Sequence, residues 1–142
     1  MLTVRHLLEK KPRALRSIAP EAPVLDAIRL MAEHHVGALL VMQKDELLGI
    51  VSERDYARKV ILLGRSSAHT PVREIMTAPV ITVSLMSTLD ECMRVVTGQR
   101  VRYLPVIENS RVIGMVSIGD LIKAVIEEQQ HTIEQLESYI HS

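Results

Sequence analysis

The feature that most constrains this chain is a duplication. Gly49-Ile50-Val51-Ser52-Glu53-Arg54-Asp55-Tyr56-Ala57-Arg58-Lys59-Val60-Ile61 recurs as Gly114-Met115-Val116-Ser117-Ile118-Gly119-Asp120-Leu121-Ile122-Lys123-Ala124-Val125-Ile126, a shift of 65 that keeps Gly, Val, Ser, Asp, Val and Ile in place. The alignment runs without gaps from Ile18–Ile61 onto Val83–Ile126. Upstream, Val4-Arg5-His6-Leu7-Leu8 resembles Val72-Arg73-Glu74-Ile75-Met76 at a shift of 68, so three extra residues lie within Glu9–Ser17. A period near 65 is too long for the familiar solenoids and suits a duplicated α/β unit.

Each copy carries the same series of local signals. A short apolar strand is expected around Ser17-Ile18-Ala19 and again at Val80-Ile81-Thr82-Val83, followed by Pro20 and Pro23, or Ser84 and Thr88. A helix follows, with Val24, Ala27, Ile28 and Met31 on one face, matched by Leu89, Cys92, Met93 and Val96. Two strands come next, Val36–Met42 with Leu47–Val51 and Val101–Ile107 with Val112–Val116, each pair flanking a polar turn. Runs such as Ala38-Leu39-Leu40-Val41 suggest strands buried on both faces. Pro105 pushes its strand toward an edge or a bulge. A second helix starts at Ser52 or Ser117, so each copy reads β-α-β-β-α. The expected organisation is a first repeat over 1–64, a linker over 65–71, a second repeat over 72–128 and a helical tail over 129–142. Leu121, Val125, Ile126, Ile133, Leu136 and Ile140 recur at helical spacing in that tail, facing either the protein itself or a second subunit.

Composition narrows the function. Lys plus Arg equals Asp plus Glu, 17 of each, so no net field draws the 142-residue chain to nucleic acid or an anionic membrane. Three Tyr with no Phe or Trp leave few stacking platforms for bases. Cys92 is the single cysteine, which excludes a disulfide framework and reads as a packed core thiol. No apolar run reaches the ~20 residues that span a bilayer. Met1–His6 lacks a signal-peptide pattern, and a cytoplasmic protein is expected. The pair His34-His35 has no second ligand at metal spacing, so no metal site is assigned. No phosphate-binding glycine loop and no nucleophile–base constellation is present, and no enzymatic activity is expected.

The repeated Ser-x-x-Asp has two readings. As a capping box, Ser52 accepts from the Asp55 N–H and the Asp55 carboxylate reaches back to the Ser52 N–H, with no ligand needed. As a binding element, it stands where strand ends meet a helix N-terminus, the usual nucleotide crevice of α/β folds. A Gly three residues before the Ser in both copies is consistent with close approach by a ligand or another backbone. The Asp repels a phosphate yet accepts two hydrogen bonds from a vicinal diol such as ribose; phosphates would look to Ser, backbone N–H groups or Arg.

Gly-Ile-Val-Ser-Glu-Arg-Asp and Gly-Met-Val-Ser-Ile-Gly-Asp resemble the Gly-apolar-x-Ser/Thr-x-x-Asp signature of the cystathionine-β-synthase (CBS) domain family, and Arg102-Tyr103-Leu104-Pro105-Val106 resembles its other common stretch. The similarity covers roughly residues 2–128, in the manner of a stand-alone CBS pair or Bateman module. The resemblance implies an α/β (α+β) fold of two β-α-β-β-α repeats about a pseudo-twofold axis, with an extended C-terminal helix. It also implies adenosyl ligands (AMP, ADP, ATP, S-adenosylmethionine or a dinucleotide such as NAD) held between the Ser-x-x-Asp motif of one repeat and strands of the other. One candidate set is then Ser52, Arg54, Asp55, Pro79, Ile81, Val101 and Arg102. The other is Ser117, Asp120, Arg16, Ile18, Val36 and Gly37. Arg54 and Arg102 in the first set, against Gly119 and Gly37 in the second, imply that the first prefers the more phosphorylated ligand. The expected role is a nucleotide-sensing regulatory module, a homodimer signalling to an unidentified protein partner. The alternative is a constitutive interaction scaffold with vestigial clefts.

Overall fold

The computed structural model describes residues 2–10 and 15–141, and the chain divides into two compact units, Ala14–Ile81 and Met1–Arg13 with Thr82–Ser142. The three-residue insertion expected within Glu9–Ser17 spans a segment whose residues 11–14 lie outside the described residues.

In the unit Ala14–Ile81, β1 (Ser17–Ile18) runs parallel to β2 (Ala38–Gln43), which pairs antiparallel with β3 (Glu46–Ser52). Helix α2 (Val24–His34) connects β1 to β2 and buries Val24, Ala27 and Met31, the stripe expected from their spacing. These residues pack with Leu39, Val41 and Val51 from one face of the sheet and with Val60, Val72 and Ile75. Ala38 and Leu40, on the opposite face of β2, are buried as well, so this strand is covered on both sides. After β3 come a short helix α3 (Glu53–Tyr56), a π-helical turn over Ala57–Ile61 and a 3₁₀ turn over Val72–Glu74.

The other unit repeats the plan. Helix α4 (Leu89–Gln99) buries Leu89, Cys92 and Val96. The hairpin of β4 (Tyr103–Glu108) and β5 (Arg111–Ser117) turns through Asn109 and Ser110, both at positive φ. Both hairpins carry a register shift at equivalent points, after Val41 and after Val106. Helix α5 (Ile118–Ile140) continues through the polar stretch 127–131 without interruption. Its Ile126, Ile133, Leu136 and Ile140 are exposed, so the tail does not fold back onto this chain.

Three expectations need correction. Val80–Val83 does not form a strand: Val83 alone bridges Val106, donating to Pro105 O and accepting from the Ile107 N–H. In the first copy the Leu40 N–H donates to Arg16 O. Pro105 stands at the position of Leu40 and has no N–H, which removes that bond. Second, β2 and β4 begin two residues later than expected. Val36 N–H caps α2 through Met31 O, and the Gly37 and Arg102 carbonyls accept from the first helical residues, Glu53 and Ile118. Third, the leading segments pack with the opposite copy. Helix α1 (Val4–Glu9) lies in the unit of the second copy, with Val4 N–H on Ser87 O and Leu89 N–H on Leu2 O. Residues 72–77 join the first, where Thr77 and Ile50 exchange both backbone hydrogen bonds.

Candidate ligand-binding site

Strand β3 ends at Ser52 in extended backbone, and the chain turns directly into α3. Ser52 Oγ accepts from the Asp55 N–H at 3.1 Å, and the Ser52 N–H donates to Asp55 Oδ2 at 3.0 Å. The hydroxyl also donates to the same Oδ2 at 3.0 Å. The second copy repeats the box: Asp120 N–H to Ser117 Oγ at 3.1 Å, Ser117 N–H to Asp120 Oδ2 at 2.8 Å. Each carboxylate is therefore fixed by its own helix start, half-buried at the C-terminal end of the second hairpin strand of its unit. That geometry satisfies the orphan N–H groups of the helix and presents an oriented acceptor at once.

Packing supplies a second explanation for the motif glycines. A Cβ at Gly49 would lie 2.8 Å from Met76 Sδ and 2.9 Å from Thr77 O; at Gly114 it would lie 2.9 Å from Leu8 Cδ2. The close approach expected from sequence is real, and the approaching group is the leading segment packed in the same unit.

Ser52, Arg54, Asp55, Pro79, Ile81, Arg16, Ile18, Val36 and Gly37 lie in the unit Ala14–Ile81, while Val101, Arg102, Ser117 and Asp120 lie in the other. Within the first, Gly37 O accepts from Glu53 N–H at 3.0 Å, which puts Gly37 beside the Ser52 box. Arg16 O holds the Leu40 N–H at the start of β1, with Ile18 opposite Val41. Arg54 is exposed, and Pro79 follows a cis peptide bond. In the second unit Arg102 O accepts from Ile118 N–H at 2.8 Å, so Arg102, itself exposed, sits at the Ser117 box. Two contacts of Asp55 were not expected. Lys59 Nζ stands 3.3 Å from Asp55 Oδ1, and Thr77 Oγ1 donates to it at 3.4 Å. The Asp55–Lys59 spacing of four is a readable helix pair; Thr77 had no local signal. Burial, with Glu91 adding to it, pushes the Cys92 thiol above its ordinary pKa, the behaviour of a packed and unreactive thiol. Among the described residues no group of His, Cys, Asp and Glu is placed to hold a metal ion, and no helix is long and apolar enough to cross a membrane.

Two α+β units, each with a carboxylate boxed at a strand-to-helix turn, define a duplicated α+β domain. The family match is to the CBS domain, over residues 4–61 and again over 72–127, and the chain belongs to that family as a pair of CBS repeats. A CBS-domain protein from Burkholderia ambifaria, described as a candidate signal-transduction protein, has a solved structure matching at 50% identity and a TM-score of 0.86, covering 89% of this chain and 96% of that one. A mitochondrial CBS domain-containing protein of Arabidopsis thaliana is 44% identical over 82% of this chain; the chain spans 59% of that relative's length. A CBS pair solved in complex with 5′-methylthioadenosine and S-adenosyl-L-methionine matches in fold, with a TM-score of 0.80 and 19% identity over 90% of this chain and 98% of that one.

Proposed function

We propose that the chain is a non-enzymatic regulatory module that binds adenosyl ligands (AMP, ADP, ATP, S-adenosylmethionine or a dinucleotide such as NAD) through Asp55 and Asp120. The observation that carries this reading is the duplicated box, in which backbone N–H groups hold Asp55 and Asp120 at equivalent strand-to-helix turns, and a carboxylate is the acceptor that suits a ribose diol. The adenosyl compounds held by a CBS pair of the same fold support the ligand class. The first residue set, with Arg54 and Arg102, takes the more phosphorylated ligand; the second, with Gly119 and Gly37, takes the nucleoside with less charge selectivity. Ligand acts by binding two arrangements of the protein with different affinity, and a protein partner reads the result. A homodimer and a cytoplasmic location belong to the same proposal. Exposed apolar residues on α5 support the first, and cell fractionation tests the second against the mitochondrial name of the Arabidopsis relative.

A second reading has its own support. Capping and packing account for Ser52, Asp55, Ser117, Asp120 and both motif glycines without a ligand, as a constitutive scaffold would require. Thermal shift across an adenosyl panel separates the two, since a ligand at 100 times its Kd adds about 2.7 kcal/mol. With Asp55→Asn and Asp120→Asn combined, the ligand-dependent shift should vanish while the ligand-free Tm drops only modestly. A shift preserved in that variant, or absent with every ligand in the wild type, would leave the scaffold reading.

A further inference from the structure

Asp55 is engaged by more than its own capping box. Asp55 Oδ2 accepts from the N–H and the hydroxyl of Ser52, each at 3.0 Å. Asp55 Oδ1 faces Lys59 Nζ at 3.3 Å and Thr77 Oγ1 at 3.4 Å. An ionised carboxylate offers about four acceptor positions, and contacts within one unit occupy all of them. Lys59 is itself tethered, donating to Ile75 O at 2.9 Å. A vicinal diol brings two donors, so seating one on Asp55 obliges a donor on Oδ1 to turn away.

The other repeat does not place a lysine at this position of its helix. Ala124 stands at the position of Lys59. A pocket of about 80 Å³ lies there, with Leu7, Asp120 and Ala124 in its wall together with Lys10 and Lys123. Leu7 is the counterpart of Ile75, whose carbonyl anchors Lys59. In one copy a lysine rooted at this position reaches the motif carboxylate; in the other the position is an alanine in the pocket wall.

We infer that Lys59 is a specificity-determining residue of the first site: it competes internally for the Asp55 carboxylate and lowers the affinity of that site for a ribose diol. The inference rests on the adenosyl-binding function proposed above. The lysine side chain is 42% exposed, so the ion pair is weak and the effect is a small multiple.

Calorimetry with adenosine, which has no phosphate, tests this on the full chain carrying Asp120→Asn to remove the second diol acceptor. Lys59→Met keeps most of the apolar stem and loses the charge; Lys59→Gln serves if the Met variant does not fold. Either should tighten adenosine binding about two- to fivefold, and Lys59→Arg should stay near the parent. A lysine with only a structural role predicts the opposite sign, because losing the tie to Ile75 loosens the segment beside Asp55. Unchanged or weaker binding in the neutral variants overturns the inference and, where the parent binds adenosine, leaves the proposed function standing. If the Asp120→Asn parent binds none while the wild type does, the neutral variants must gain binding or the inference falls. Absence of adenosine binding in the wild type and every variant overturns the inference, and the adenosyl panel above then decides the proposed function.

Discussion

A methyl group at Gly49 would meet both a flexible thioether and the fixed carbonyl of Thr77, whereas at Gly114 it would meet only the methyl end of Leu8. Side-chain ends can turn aside; a backbone carbonyl bonded to its neighbour cannot do so cheaply. Thr77 is held by two backbone hydrogen bonds with Ile50, so Gly49→Ala must break that pairing or distort β3. We expect Gly49→Ala to cost ~1–3 kcal/mol, as overpacking generally does, and Gly114→Ala to cost less, both read by urea denaturation. Equal costs would show that the backbone contact is not the constraint. The sequence could place these glycines at a close approach but could not say who approaches, because Met76 and Leu8 arrive from segments far along the chain. Ser-x-x-Asp was different. Its geometry is local, spans four residues, and is what a capping box requires.

Helix α1 binds its unit through Val4 and Leu8, exposed by 0% and 2%, and through backbone bonds to the segment before α4. Six residues are too few to hold a helix in water alone, so packing must supply its stability. Leu8→Ala would empty a buried site against Gly114, where the glycine has no side chain to fill the space. The expected loss is ~2–5 kcal/mol, with amide exchange rising first in Val4–Glu9 and β5. Exchange rising first in β3 instead would mean that α1 belongs with the first copy. This pairing of leading segments with the opposite copy was invisible in the sequence, since an apolar pair signals burial but not a partner. The helices and hairpins were legible because their apolar periods, 3.6 and near-continuous, are short-range. Their edges were not: α2 and α4 are closed by His35 and Arg100 at positive φ, where a glycine would have marked the stop. Pro105 did carry a readable warning: its strand lies at an edge with a register shift just beyond it, and its missing N–H also leaves Val80–Val83 without the bond that Leu40 makes in the first copy.

The buried residues of the second unit end at Ala124, and from Glu127 to Ile140 every residue of α5 is exposed. A helix this polar over half its surface gains nothing from the core it leaves, yet it keeps Ile126, Ile133, Leu136 and Ile140 in one row. Steps of seven, three and four residues are those of a coiled-coil seam, with Gln129 as a polar interruption that sets register at some cost in stability. Under the proposed homodimer, this seam is a contact between copies, and removing it should separate association from folding. A chain ending at Glu127 should keep its Tm within a few degrees when compared as a monomer, because no core residue is lost. Sedimentation at micromolar concentration should show the mass falling from two chains to one. A truncated chain that still sediments as the full-length protein does would move the subunit contact elsewhere, and a collapse of Tm would make the tail part of the fold. Ligand binding by the truncated monomer then decides whether sensing is complete within one chain: the boxes at Ser52 and Ser117 draw every described hydrogen bond from their own units, so affinity should survive the loss of the partner.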